Sequence, residues 1–295
     1  MPAAFILNYD EGGQFFDHVT PPVPPTSASD GASTVTAVGE LSTTWVEVVP
    51  PGAPIGLGFR VPLLLISPWT RGHLVYSEVA DHTSVIKLIE ARFGVACPNI
   101  SPWRRAVTGD LTAAFDFGAP DYSWPGAWPD TSQNVNQSKW QCEHLPAPAL
   151  PTVQAMPVQE PGTRAARPLP YEFHVSDAPA AGGTGLTLTM RNAGARTGAF
   201  FIVFDRAGRG TPRKYTVEAG KALVDDWPTP GGAGGNYSLW LHGPNGFVRG
   251  MQGDAGGGAA GVTIGYGKVC DARDVRRARH VCVYNAVAAR RSTAR

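Results

Sequence analysis

Phe5, Ile6 and Leu7 form an apolar run directly before Asn8, Tyr9, Asp10 and Glu11, and Gly12-Gly13 break the chain after it. A short continuous apolar run closed by glycines reads as a buried strand over 4–10, with two carboxylates at its C-terminal tip. TPPVPPTSASDGASTVTAVGE (20–40) is loop by its Pro, Ser and Thr content. The alternation in TWVEVV predicts a strand over 44–49. VPLLLIS predicts a second continuous apolar strand over 61–67, with Pro62 at its entry. In SEVADHTSVIKLIEARFG, Val85, Ile86, Leu88 and Ile89 make a helical stripe, with Asp81 or His82 at its start and Gly94 as its stop. SPWRRAVTGDLTAAFDF (101–117) predicts a short helix or irregular lobe ending on aromatics.

From Tyr171 the period changes to two. Short alternating segments are divided by Gly, Asn and Pro, the pattern of a small β-sandwich over 165–254. Its expected core faces include Phe173 and Val175, Leu186 and Leu188, and the set Phe200, Ile202 and Phe204. Between the two textures, residues 119–164 are rich in Pro, Ala, Gln and Ser and read as a covering loop and linker. Residues 255–295 lose the pattern and end in an Arg/Ala-rich tail. The organisation expected is therefore 1–118, 119–164, 165–254 and 255–295.

Composition narrows this only a little. The chain of 295 residues is long enough for two domains, and Gly 35 and Pro 27 favour turns and β structure over helical bundles. A net charge of +1 gives no reason to expect a nucleic-acid partner. The four cysteines, Cys97, Cys142, Cys270 and Cys282, form no CxxC. Cys97 and Cys142 read equally well as a disulfide pair or as free thiols. No apolar run reaches the ~20 residues of a membrane span. The first residues lack a basic segment followed by an apolar one, so no signal peptide is expected in this chain.

Candidate chemistry sits in two places. In YDEGGQFFDHV, Asp10, Glu11 and His18 combine hard oxygen ligands with an imidazole, a set suited to a divalent cation and a phosphate or to acid–base work. The alternative is that the carboxylates cap the turn and His18 packs. In ISPWTRGHLVYSEVADHTS, Ser67, Arg71 and His73 follow a strand, and Asp81 and His82 precede a helix, both natural places for anion ligands. The alternative here is an N-cap at Asp81 and a structural His82. GxSxG, GxGxxG leading into a helix, and the Walker lysine motif are absent. Trp69, Trp103, Trp124 and Trp128 supply an aromatic set that packs loops or faces a quaternary ammonium.

FILNYDEGGQFFDHVTPPVPP, GLGFRVPLLLISPWTRGHLVYSEVADHTSVIKLIEARFGV and SPWRRAVTGDLTAAFDF, in that order, resemble the second half of the catalytic domain of bacterial phosphocholine-preferring phospholipases C. These are acid-phosphatase-like phosphoesterases of the alkaline-phosphatase-like superfamily. Residues 171–254 resemble the β-sandwich that follows that domain. The resemblance implies an α/β fold: a partial α/β/α sandwich, the C-terminal half of an alkaline-phosphatase-like catalytic domain, then a small β-sandwich. It implies hydrolysis of phosphatidylcholine-type phosphodiesters to diacylglycerol and phosphocholine, transient contact with a membrane surface, and a secreted or periplasmic location reached by twin-arginine export. Asp10 and Glu11 fall on the family's acidic metal-site pair, His18 on its F-D-H-V motif, and Asp81 and His82 on its D-H-T-S motif. The implied roles are metal ligands for Asp10 and Glu11, with a divalent ion as cofactor, and catalytic groups for His18 and His82.

The family's Glu-Asn pair and the segment bearing its hydroxyl nucleophile are not found here. Met1 is therefore expected to fall inside the catalytic domain and the chain to be inactive alone. The ending after Lys268 is expected to reflect a shifted reading frame. The alternative function is a non-enzymatic lipid- or protein-binding β-sandwich.

Overall fold

The structure, a computed structural model, describes residues 3–12, 17–45, 49–123, 126–147, 149–155, 158, 161–162, 164–181, 185–206, 208, 210–228, 235–254 and 264–265. The described residues mix helices and sheets, and they are sheet-rich toward the C-terminal end.

Strands β1 (Phe5–Asn8) and β3 (Leu63–Ile66) form at the two apolar runs and pair antiparallel, Phe5 opposite Ile66 and Asn8 opposite Leu63. They are not the buried strands the pattern predicts. Phe5 is 58% and Ile66 57% exposed. Two strands satisfy one ladder between them but bury little side chain. An apolar run shows a need for cover and not where the cover comes from. The strand expected over 44–49 falls in half on 46–48, outside the described residues, and Thr44 and Trp45 are not in a strand.

Helix α1 (His82–Phe93) starts where the sequence places it. Asp81 accepts from the Thr83 amide, Ser84 closes the capping box, and Gly94 ends the helix in the left-handed region at φ 72°. Its apolar stripe is only partly covered, with Ile86, Ile89 and Phe93 exposed. Helix α2 (Pro102–Val107) is capped by Ser101 and has Pro at its start. The segment from α2 to Phe115 is better buried than any other described part of 1–118: Trp103, Val107 and Leu111 are fully enclosed. The linker reading of 119–164 misses α3 (Asn134–His144), a helix with no buried residue.

Strands β4 (Phe173–Pro179), β5 (Gly185–Asn192), β6 (Ala199–Asp205), β7 (Arg213–Val217), β8 (Ala222–Pro228), β9 (Asn236–His242) and β10 (Val248–Asp254) supply most of two sheets. One has the order β11-β4-β5-β8, where β11 is Ile264–Gly265. The other has the order β10-β9-β6-β7-β2, where β2 is Gly31–Ser33. The core between them holds Val175, Leu188, Phe201, Val203, Tyr215 and Leu241. Here the face of β6 is the opposite of the one expected. Ala199, Phe201 and Val203 point into the core, and Phe200, Ile202 and Phe204 alternate outward. AFFIVFD is apolar on both faces, so alternation carries no information about which face is inside.

The sheet takes β2 from far outside 165–254. Gly31, Ala32 and Ser33 pair parallel with Lys214, Tyr215 and Thr216. Gly31 lies at φ 136°, and a Cβ there would stand 1.8 Å from the Lys214 carbonyl oxygen, so only glycine fits. Lys214 Nζ also donates to Asp30 at 2.7 Å. Helix α2 packs on the outer face of the same sheet. The Gly198 amide donates to the Ala106 carbonyl at 2.7 Å, and the Trp103 indole donates to Thr216 Oγ1 at 2.9 Å. The Tyr171 hydroxyl accepts from the Val79 amide at 2.9 Å, and buried Glu78 accepts from Tyr76 and Thr197. Burial, helped by Glu78, pushes the Tyr76 hydroxyl far above the usual phenol range. Among the described residues no helix is long and apolar enough to cross a membrane. Apart from 264–265, the expected aberrant tail lies outside the described residues.

Candidate functional site

Asp10 and Glu11 lie just beyond β1, after Tyr9, and are exposed. Tyr9 extends the ladder by one bond, its amide donating to the Pro62 carbonyl at 3.2 Å. The tip of β1 is then tied to the start of α1. His82 Nε2 lies 3.0 Å from the Tyr9 carbonyl oxygen. A carbonyl only accepts, so this contact puts the imidazole proton on Nε2. The structure thus brings together two motifs whose contacting residues are 73 positions apart. His82 holds the backbone next to Asp10.

His18 lies apart from this contact. Its Nδ1 is 3.3 Å from Asp17, on an exposed ring. Asp17 in turn receives both the Nε and, at 2.9 Å, the Nη2 of Arg60. That fork holds the Asp17 carboxyl well below the usual carboxylate range. No described hydroxyl or thiol hydrogen-bonds to Asp10, Glu11, His18 or His82. A base paired with its nucleophile is therefore not assembled from the described residues.

The carboxylate pair fits a divalent cation in kind, being hard oxygen, but not in number. Among the described residues no group of three or more His, Cys, Asp or Glu could hold a metal.

Asp81 takes the structural alternative. Its side chain is 4% exposed, with Oδ1 on the Thr83 amide and hydroxyl and Oδ2 on Arg104 at 2.5 Å. Arg104 also grips Glu40 through two 2.8 Å bonds and the Gly56 carbonyl at 2.7 Å. This buried Glu40–Arg104–Asp81 cluster fixes the 20–57 loop, α1 and α2 to one another. Sequence reasoning missed it, because no periodicity links positions so far apart. Beside it, Arg105 forks onto Glu90 at 2.8 and 2.7 Å. With the Cys97 amide, it holds that carboxyl down to about 2. Lys87, its ammonium pushed down by burial, donates to the carbonyls of Arg105 and Thr108 at the end of α2.

The remaining candidates disperse. Ser67 makes a turn with Thr70 and Trp69, and Arg71 holds the Ser123 carbonyl at 2.8 Å. His73 is exposed at φ 54°. Trp103 is fully buried, and Trp69 packs on Phe117 with ring centroids 5.6 Å apart. Trp128 is exposed, and Trp124 lies outside the described residues. The described members of the set therefore build no cage. Cys97 and Cys142 are free thiols.

Residues 2–96 match the phosphoesterase family, and residues 165–254 match the C-terminal domain of bacterial phospholipase C. The chain is 46% identical over 255 residues to a non-hemolytic phospholipase C of Pseudomonas aeruginosa, covering 85% of this chain and 36% of the relative. It is 44% identical to a non-hemolytic phospholipase C of Burkholderia pseudomallei, covering 90% of this chain and 38% of the relative. It is 42% identical to a hemolytic phospholipase C of Pseudomonas aeruginosa, covering 85% and 37%. The chain thus spans well under half the length of these curated relatives.

Proposed function

Since the chain belongs to the bacterial phospholipase C family, we propose that residues 4–115 carry one wall of a phosphodiesterase site acting on phosphatidylcholine-type lipids. The fold reading that goes with this is part of an α/β/α sandwich, with β1 and β3 as two of its strands. The net reaction adds water across the phosphorus–oxygen bond to glycerol, giving diacylglycerol and phosphocholine. Asp10 and Glu11 face the phosphate end of the substrate and supply two oxygen ligands toward a divalent cation. Such an ion, when bound, would offset phosphate charge. His82, donating through Nε2 to the Tyr9 carbonyl, positions the Tyr9–Asp10 backbone. His18, on an exposed ring, is an accessory group.

The observation that supports this reading is the 3.0 Å contact between His82 Nε2 and the Tyr9 carbonyl, which joins the two motifs. The test is binding of phosphocholine by the chain, with and without added Mn²⁺, by calorimetry. Binding that needs the metal and is lost in both Asp10→Ala and Glu11→Ala supports it. Binding unchanged in those two variants overturns it.

A further inference from the structure

We propose that the open half of the outer face of the β10-β9-β6 sheet is a docking surface for a phospholipid bilayer. The proposal rests on the phospholipid reading above only for the kind of surface involved. Along β6, Phe200 and Ile202 point outward and are nevertheless buried, and α2 packs against this strand. Beyond that cover the face opens. Phe204 stands opposite Trp240, and His242 opposite both Ile202 and Val248. Trp240 is 42% and Val248 40% exposed. The rings touch: Phe204 and His242 centroids are 5.4 Å apart, edge to face, and Trp240 and His242 centroids 6.0 Å apart. Gly250, across from Trp240, leaves the indole room, since a Cβ there would stand 3.4 Å from its Nε1. Apolar side chains clustered on a sheet face that water reaches call for a partner surface.

The chemistry of the patch selects the occupant. Exposed Arg206 lies with its guanidinium 4.4 Å from the Trp240 ring centroid. A cation already on the ring makes this a poor box for a free quaternary ammonium. It does place a positive charge beside an apolar floor, the arrangement that meets lipid phosphate above and acyl chain below. Among the described residues no acceptor is bonded to the Trp240 indole N–H. That donor is free for ester carbonyls and phosphates, the role indoles fill at the bilayer interface. A protein partner would use the apolar floor but gives the Arg206–indole pair no particular purpose.

The experiment is co-sedimentation of the full chain with phosphatidylcholine vesicles, and with vesicles also containing phosphatidylserine. Wild type is expected to bind both, and the second more tightly at low salt. The double variant Phe204→Ser/Trp240→Ser is expected to lose about tenfold or more in affinity, because two partly buried aromatics are removed from the contact. Arg206→Gln should lose mainly the gain from phosphatidylserine. Val224→Ser, at an exposed position on β8 in the other sheet, should bind as wild type. Thermal melting and far-UV circular dichroism show which variants remain folded.

Absence of wild-type binding, or unchanged binding by the folded double variant, overturns the proposal. So does an equal loss in Val224→Ser. Displacement by free phosphocholine overturns it in favour of a headgroup pocket, and self-association abolished by Trp240→Ser in favour of a second copy of this chain. Vesicle binding is read without turnover or added metal. If Asp10→Ala leaves phosphocholine binding unchanged while Trp240 still governs vesicle binding, the site reading fails and this one stands.

Discussion

Arg104 is the residue on which the interior of the N-terminal part most depends. Among the described residues it pairs with both Glu40 and Asp81, whose side chains are 3% and 4% exposed. Arg104→Ala leaves two buried carboxylates without their cation and should cost about 3–5 kcal/mol in denaturant unfolding. Arg104→Lys keeps the charge but loses the fork to Glu40, and should recover only part of that. An Arg104→Ala variant as stable as wild type would show the cluster to be without consequence. Glu90 makes a different kind of prediction. Its carboxyl is held at about 2 against an ordinary 4.5, so the folded state binds fewer protons than the unfolded chain in that interval. Its stabilisation is complete above 4.5 and fades as pH falls toward 2. Glu90→Gln should flatten the acid limb of stability against pH in that window and leave the slope near neutrality unchanged. Equal acid limbs in the two proteins would refute the Arg105 clamp.

At the scale of elements, the boundary between 118 and 165 matters less than the contacts across it. Trp103 on α2 is fully buried and hydrogen-bonded to Thr216 on β7. Trp103→Ala should cost about 3–5 kcal/mol. Gly31→Val should cost on the order of 1–3 kcal/mol or more by unseating β2. In both variants the loss should appear in the melt of the β-sheet signal, not in α1 alone. Residues 165–254 produced alone should expose the β7 edge and the seat of Trp103, and aggregate or melt lower than the full chain.

The same elements show what the sequence made legible. Helix α1 was readable because its start and stop are local chemistry, Asp81 with Ser84 and then Gly94. Most strands were readable because one face is polar. β2 was not, since three small residues in a Pro/Ser/Thr stretch carry no pattern and pair with a partner far along the chain. The inward face of β6 was not, because both its faces are apolar and α2, not solvent, covers one of them. α3 was missed because its helix buries nothing and so leaves no stripe. At the candidate site, residue types pointed to Asp10, Glu11 and the D-H-T-S motif. The N-cap at Asp81 was one of two readings the sequence left open and is the one the fold adopts, while only the fold shows that His82 reaches the β1 tip.

For the whole molecule, the expected catalytic outcome is negative. Among the described residues no hydroxyl or thiol is bonded to Asp10, Glu11, His18 or His82, so no covalent acceptor is prepared beside the candidate site by those residues. The chain alone should release no nitrophenol from p-nitrophenylphosphorylcholine above a blank. Turnover that disappears in Asp10→Ala would overturn this.

The pairing of β2 with β7 also sets an order of events in time. Asp30 and Lys214 are 184 residues apart. On a ribosome, β2 emerges long before its neighbour exists. Closing a loop of that length costs entropy that a three-residue parallel ladder does not recover by itself. The strand should therefore join only after β6 and β7 have formed, as the last edge to zip and the first to open. In amide hydrogen exchange of the native chain, Lys214, whose N–H reaches the Asp30 carbonyl, should trade its proton faster than the amides of β6, at a free energy below that of global unfolding.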